Sequence, residues 1–254
     1  MIRVFRSIPV ERIKLLVFDL DGTLIDSAQD LCNSVNATLA HFSHPPLEDA
    51  QIAGFIGDGA LMLMRRGLAE AYGGSVPDDF LQTAYLFFLD YYRAHKLDST
   101  YAYDGVLESL AALKALHDQP GDRPGGQSGS QPGRLTRTMA VLTNKPVRPA
   151  QDICAALGLA PYFLSIYGGN SFATKKPNPE GLLALMADSQ ARPEETVLIG
   201  DSHVDVLTAR NAGAWSLGCT YGLSPETLLA AQPDVLVDSP AEWISALTTP
   251  LKTP

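Results

Sequence analysis

Apolar positions along this chain of 254 residues follow two patterns. Leu15-Leu16-Val17-Phe18 is an unbroken apolar run. With no polar alternation it predicts a parallel strand covered on both faces. From Ser27 the pattern changes to three- and four-residue spacing, with Leu31, Val35, Leu39 and then Phe42, which predicts a helix that Pro45-Pro46 ends. A short helix follows over Leu47 to Phe55, another over Ala60 to Ala71, and a fourth from Asp78 to about Lys96, where Phe80, Ala84, Phe88 and Tyr91 or Tyr92 make a stripe. Ser27 to Asp98 is thus a run of helices without a strand. That run does not continue a strand-helix alternation and predicts an inserted helical unit. Tyr85, Phe87, Phe88, Tyr91 and Tyr92 are expected to form the insert's own core rather than a ligand box.

After Tyr101 the alternation resumes. Val106 to His117 reads as an amphipathic helix, and apolar strands are expected at Thr138 to Thr143, Leu164 to Tyr167, Thr196 to Ile199, Trp215 to Leu217 and Val235 to Val237. The fold class this predicts is α/β, a doubly wound, Rossmann-like parallel sheet with an inserted all-helical unit. The expected boundaries are a core of 1–26 and 99–254 and an insert of 27–98. Gln119 to Gly133 is rich in Gly, Pro, Ser and Gln and has almost no apolar residues, so a mobile loop inserted in the core is expected there.

Composition narrows the class of partner. At 46% hydrophobic and 19% charged residues the chain is an ordinary soluble globular sequence, long enough for a large domain plus an insert. The formal net charge of -9 argues against nucleic acid as a partner. Neither a signal peptide nor a membrane span is evident, and a cytoplasmic protein, monomer or homodimer, with no membrane partner is expected. Cys32, Cys154 and Cys219 have no C-x-x-C spacing, and the five histidines form no ligand pair. Buried free thiols are expected, and any metal should be held by oxygen, which suits Mg²⁺.

Polar clusters end the apolar runs. Asp19 and Asp21 follow the first strand and project to the same side, in the crevice where open parallel sheets bind ligands. Two acids in one small volume raise each other's pKa unless a cation or a shared proton relieves them. They suit Mg²⁺ binding, or a nucleophile with a general acid/base; the structural alternative is a turn at Asp21-Gly22. Thr143-Asn144 ends a second strand and offers a hydroxyl and an amide for phosphoryl oxygens, or an Asn turn. Lys175-Lys176-Pro177 is either a solvated pair or places Lys176 among the acids. Asp201 ends a third strand and suits a Mg²⁺ ligand. Ser202 with Asp205 resembles a helix-capping pair, and Asp205 could alternatively orient metal-bound water. His203 should face solvent or the rim. In the insert, Gly57-Asp58-Gly59 is either punctuation between helices or a loop that reads the substrate.

Taken together, Asp19-x-Asp21-Gly22-Thr23, Thr143-Asn144, Lys176-Pro177 and Gly200-Asp201-Ser202-x-x-Asp205 resemble the four ordered motifs of the haloacid-dehalogenase superfamily, and the insert resembles its C1 cap. Within the superfamily, the stretch from Leu15 to Leu223 is similar to bacterial phosphoglycolate phosphatases. The matching segments include Ile56-Gly57-Asp58-Gly59-Ala60, Thr143-Asn144-Lys145-Pro146, Lys175-Lys176-Pro177-Asn178-Pro179 and Ala209-Arg210-Asn211-Ala212-Gly213. Asp58 departs from that pattern, which has a neutral Asn there, and Gln119 to Gly133 is an insertion foreign to it.

The resemblance implies Mg²⁺-dependent hydrolysis of a small phosphomonoester through an aspartyl-phosphate. Asp19 would be the nucleophile, Asp21 the general acid/base, and Lys176 the charge that offsets nucleophile and phosphate. Thr143, Asn144, Lys176, Gly57 and Asp58 would contact substrate. Asp19, the backbone carbonyl of Asp21, and Asp201 would hold Mg²⁺. Phosphoglycolate is the expected substrate, with Arg65, Arg66 and Lys145 as candidate partners for its carboxylate. The alternatives are a sugar phosphate phosphatase, a phosphomutase, and, from a different class, a non-catalytic phosphate-binding module.

Overall fold

The structure is a computed structural model that describes residues 1–118 and 137–251. The loop expected over Gln119 to Gly133 lies outside the described residues. In chain order the elements are β1 (Arg3–Val4), β2 (Leu15–Phe18), β3 (Ile25–Asp26), α1 (Ala28–His41), α2 (Asp49–Ala53), α3 (Ala60–Tyr72), α4 (Asp78–His95), β4 (Tyr101–Ala102) and α5 (Val106–Asp118). There follow β5 (Thr138–Leu142), α6 (Val147–Ala156), β6 (Ile166–Tyr167), α7 (Glu180–Asp188), β7 (Thr196–Gly200), α8 (His203–Ala212), β8 (Trp215–Cys219), α9 (Glu226–Ala231), β9 (Val235–Val237) and α10 (Glu242–Thr248).

Seven strands form one sheet in the order β1-β9-β8-β7-β2-β5-β6. Only the edge pair β1 and β9 is antiparallel. The apolar run of β2 explains its central place. Leu16 and Phe18 enter the core on one face of the sheet, and Leu15 and Val17 enter the core on the other. β5 and β7 divide in the same way: Val141 and Ile199 lie with Phe18, and Ala140 and Leu198 lie with Val17. Each fully buried side chain of this kind contributes about 1.5–3 kcal/mol. Phe18 is in register with both Val141 and Ile199, so the residues that follow β2, β5 and β7 emerge side by side. All three cysteines are free and buried, as expected.

The helices α1 to α4 pack around a separate apolar cluster that includes Val35, Leu39, Met64, Leu81 and Phe88. The chain reaches them through β3 and returns through β4, two short strands that pair with each other and not with the main sheet. The sequence did not predict these two strands, nor β1. Two residues are too short a run to display a period of two. Asp30, in the first turn of α1, holds the two crossings together. Its buried carboxylate accepts from the N–H groups of Ser99 and Thr100 and from the Thr100 hydroxyl, at 2.7–3.1 Å. Asp26 accepts from the Ala28 N–H at 3.0 Å and so satisfies one of the orphan donors at the start of α1.

Among the described residues no helix is long and apolar enough to cross a membrane.

Candidate active site

The floor of the site is built where β2, β5 and β7 end. The Asp19 N–H donates to the Ile199 carbonyl at 2.8 Å, which fixes Asp19 to the neighbouring strand as β2 finishes. The chain then folds back on itself: the N–H groups of Leu24 and Ile25 donate to the Leu20 carbonyl, and that of Gly22 to Ile25. Gly22 sits at φ +82°, and a side chain there would collide with the Asp201 carboxylate. Both reasons make glycine the residue that lets the loop after β2 lie against the end of β7.

Asp19, Asp201 and Asp205 are buried, and one carboxylate oxygen of each lies within 4.8 Å of the others. Lys176 lies among them, with Nζ 2.9 Å from Asp19 Oδ1 and 2.7 Å from Asp205 Oδ1. Asp205 serves two purposes at once, because its Oδ2 accepts from the N–H and the hydroxyl of Ser202 at the start of α8. Asp201 Oδ2 accepts from the N–H groups of Leu223 and Ser224 at 2.7 and 3.2 Å. Asp19 Oδ1 also accepts from the Leu20 N–H. Its Oδ2 has no hydrogen-bond partner among the described residues and is the free oxygen of the nucleophile candidate.

Asp21 points away from this cluster. Lys145 Nζ donates to both of its carboxylate oxygens, at 2.8 and 3.0 Å, and the Ser27 hydroxyl donates to Oδ1. The floor therefore holds four carboxylates (Asp19, Asp21, Asp201, Asp205) against two ammonium groups (Lys145, Lys176), an excess of two negative charges.

The pKa shifts express that excess. Burial raises Asp19 to about 6; Lys176 opposes the rise and Asp205 adds to it. Burial, then Asp205 and Asp19, push Asp201 well above the usual carboxylate range, against the two backbone donors. Burial works to lower Lys176, but Asp19 and Asp205 outweigh it and hold the ammonium above its ordinary value. Asp21 does the same for Lys145. A divalent cation matches both the all-oxygen donor set and the missing charge.

The roof comes from the insert. Leu31, Ile56, Leu63, Phe88, Leu89 and Tyr92 line it, with Gly57 and Gly59 at its edge. About 40 Å³ of free volume, open to solvent at one side, lies between it and Asp19, Asp21, Thr143, Lys145 and Asp201, room for a few waters. Two hydrogen bonds tie roof to floor: Asn144 Nδ2 donates to the Gly57 carbonyl at 3.1 Å, and Lys175 Nζ donates to the Asp58 carbonyl. Gly59, at φ +88°, lies so close to Asn144 that an added Cβ would sit 3.0 Å from its carbonyl oxygen.

Several expected residues are placed differently from the sequence reading. Asp58 does not line the cavity, because its carboxylate pairs with Arg66 on the insert itself. Arg66 also donates to the Phe55 carbonyl, and Arg65 pairs with Asp78 at 3.0 Å on the surface. Neither arginine reaches the cavity, so both lapse as partners of a substrate carboxylate. Asn144 lines the cavity, but its amide donates to the carbonyls of Gly57 and Lys176, and Oδ1 is buried without a partner. Flipping the amide would set an oxygen against two carbonyls, so the side chain offers a phosphate an acceptor rather than a donor. Thr143 Oγ1 accepts from the Lys145 N–H, which leaves its own proton to donate. His203 begins α8 and is exposed, as expected.

Tyr92 was placed correctly in the insert's core by its helical spacing, but not at the site. Nothing in the sequence distinguishes it from the aromatics around it. The pairing of Lys145 with Asp21 spans 124 positions; only the adjacency of Lys145 to Thr143-Asn144 hinted at it.

Comparison with known proteins agrees with this geometry. A family model for haloacid dehalogenase-like hydrolases matches residues 13–213. A phosphoglycolate phosphatase of Vibrio vulnificus (strain YJ016) is 36% identical over 242 residues, covering 93% of this chain and 97% of its own. One from Chromobacterium violaceum is 34% identical over 233 residues, covering 92% and 96%. Among solved structures, one described as a predicted phosphoglycolate phosphatase from Haemophilus somnus 129PT superposes with a TM-score of 0.80 at 29% identity, covering 92% of this chain and 97% of its own. By sequence and by fold, the chain belongs to the haloacid dehalogenase-like hydrolases.

Proposed function

We propose that the chain is a Mg²⁺-dependent phosphatase that acts through an aspartyl-phosphate on Asp19, with 2-phosphoglycolate as substrate. The observation that carries this reading is the state of Asp19: one carboxylate oxygen is held by Lys176 and the Leu20 N–H, and the other is free above a floor short of positive charge. Oδ1 is thereby fixed and Oδ2 is aimed. Oδ2 attacks phosphorus, and the bond from phosphorus to the ester oxygen breaks. Asp21, held by Lys145 and Ser27, takes up a proton from solvent as the substrate dianion binds and gives it to the departing alkoxide. It then takes a proton from the water that attacks the acyl phosphate, which returns Asp19 and releases phosphate. Lys176 offsets charge on Asp19 and the phosphoryl group, and the Thr143 hydroxyl donates to a phosphoryl oxygen. Asp19, Asp201 and the backbone carbonyl of Asp21 would hold Mg²⁺, which neutralises phosphoryl charge when bound. Asp205 positions Lys176 and the start of α8.

The substrate assignment draws on the relatives' names. In the same reading, residues 27–98 act as a cap over a core of 1–26 and 99–254. The enzyme works in the cytoplasm, where three free thiols stay reduced. The test is steady-state kinetics with Mg²⁺ on phosphoglycolate, several sugar phosphates and pyrophosphate, with Asp19→Asn as control. The highest kcat/KM is expected for phosphoglycolate. Full turnover by Asp19→Asn would refute the nucleophile, and a preference for a sugar phosphate would refute the substrate.

A further inference from the structure

The roof carries two features that the reaction above does not use. Tyr92 is 2% exposed and lines the cavity, yet its hydroxyl makes no well-aligned hydrogen bond, and its polar neighbour is the Lys145 ammonium. A buried, unpaired hydroxyl is costly and calls for an explanation, of which an absent ligand is one. Lys145 Nζ lies over the ring of the same tyrosine, 4.8 Å from its centroid. Among the described residues it is the one cation that lines the cavity. Around these two polar groups the walls are apolar: Leu31, Leu63, Phe88 and Leu89.

We propose that Lys145 and Tyr92 form a carboxylate subsite that selects esters bearing phosphate on the carbon next to a carboxylate. This rests on the phosphatase reading and names the residues that give it specificity. Lys145 already shares its ammonium with Asp21, the residue that faces the ester oxygen. In a glycolate ester a single methylene separates that oxygen from the carboxylate, so the carboxylate comes within reach of Lys145 while the ester oxygen meets Asp21. The ammonium has three protons, and Asp21 uses two of its directions. The third direction faces the Tyr92 side chain, so a carboxylate seated between ammonium and hydroxyl would take a proton from each. A second phosphate would bring more charge than one shared ammonium can offset. A bulkier group on the same carbon would meet Leu63 and Phe88. Tyr92 belongs to α4 and Lys145 follows β5, so the subsite is complete only when roof and floor are together.

The experiment compares kcat/KM for 2-phosphoglycolate and for ethyl phosphate, in which a methyl group replaces the carboxylate, at saturating Mg²⁺. The enzyme is expected to prefer phosphoglycolate by about 100-fold or more, since a site built around buried donors rejects a ligand that leaves them unpaired. Tyr92→Phe should shrink that preference about tenfold, and Lys145→Gln should shrink it further. Thermal melting of Tyr92→Phe separates recognition from structure: losing an unpaired hydroxyl should leave the melting temperature unchanged or raise it. Equal turnover of both esters by the unaltered enzyme would overturn the subsite and leave the phosphatase reading standing. So would an undiminished preference in Tyr92→Phe, or a lowered melting temperature for that variant. No turnover of either ester, or of any other phosphomonoester, would overturn both.

Discussion

Floor and roof of the same crevice are made of opposite materials. The floor crowds four carboxylates and two lysines around the ends of three adjacent strands, all of them buried except the half-buried Asp21. The roof is aliphatic and aromatic, and the insert's Arg65 and Arg66 pair with acids of the insert itself. The floor gives up stability for reactivity, since like charges are held together out of water. The roof does the reverse, burying apolar surface and contributing little charge. In the proposed function, bond breaking belongs to the sheet, and the choice of substrate is shared between Lys145 beside β5 and the part attached by two short strands.

The sharpest break in this comparison is Asp19→Asn. It should lower kcat by about 10⁴-fold or more, as losing a nucleophile does elsewhere. Because it removes one of four crowded charges, the metal-free variant should melt at the same temperature as the parent or higher, which scanning calorimetry would show. Next is withdrawal of the metal. Chelation should abolish turnover, and Mg²⁺ should restore it and raise the melting temperature, because the ion binds only the folded floor. Intermediate in size is Asp30→Ala, which leaves three donors at Ser99 and Thr100 without an acceptor, the two of Thr100 buried. The expected cost is about 3 kcal/mol in chemical denaturation. Hydrogen exchange should quicken first at residues 99–102, not in β2. The smallest effect is expected from the roof: Leu63→Ala should leave kcat for phosphoglycolate within about threefold, while KM for bulkier esters falls. A large drop in kcat there would blur the division of labour.

The floor was legible in the sequence because an apolar run followed by a polar side chain states both a strand and where it ends. Leu15 to Asp19, Val197 to Asp201 and Met139 to Thr143 all read in this way, and parallel pairing does the rest. What could not be read were partners chosen by tertiary packing. Arg65 and Arg66 were plausible substrate ligands until Asp78 and Asp58 were seen beside them. Asn144 had the right chemistry for a phosphate, but Gly57 and Lys176 present carbonyls that take its amide hydrogens. Asp205 was read as either a cap or a site residue, and the structure uses one oxygen for each purpose.

The two ties between roof and floor set a clock. For the roof to lift from the floor, Asn144 must release Gly57, Lys175 must release Asp58, and Lys145 must part from the Tyr92 ring. Two such bonds in partly wet surroundings are worth about 2 kcal/mol together, a factor of about 30 between shut and open populations. In the proposed reaction, a ratio of that size would keep the crevice shut for most of the time and still open it often enough for products to depart.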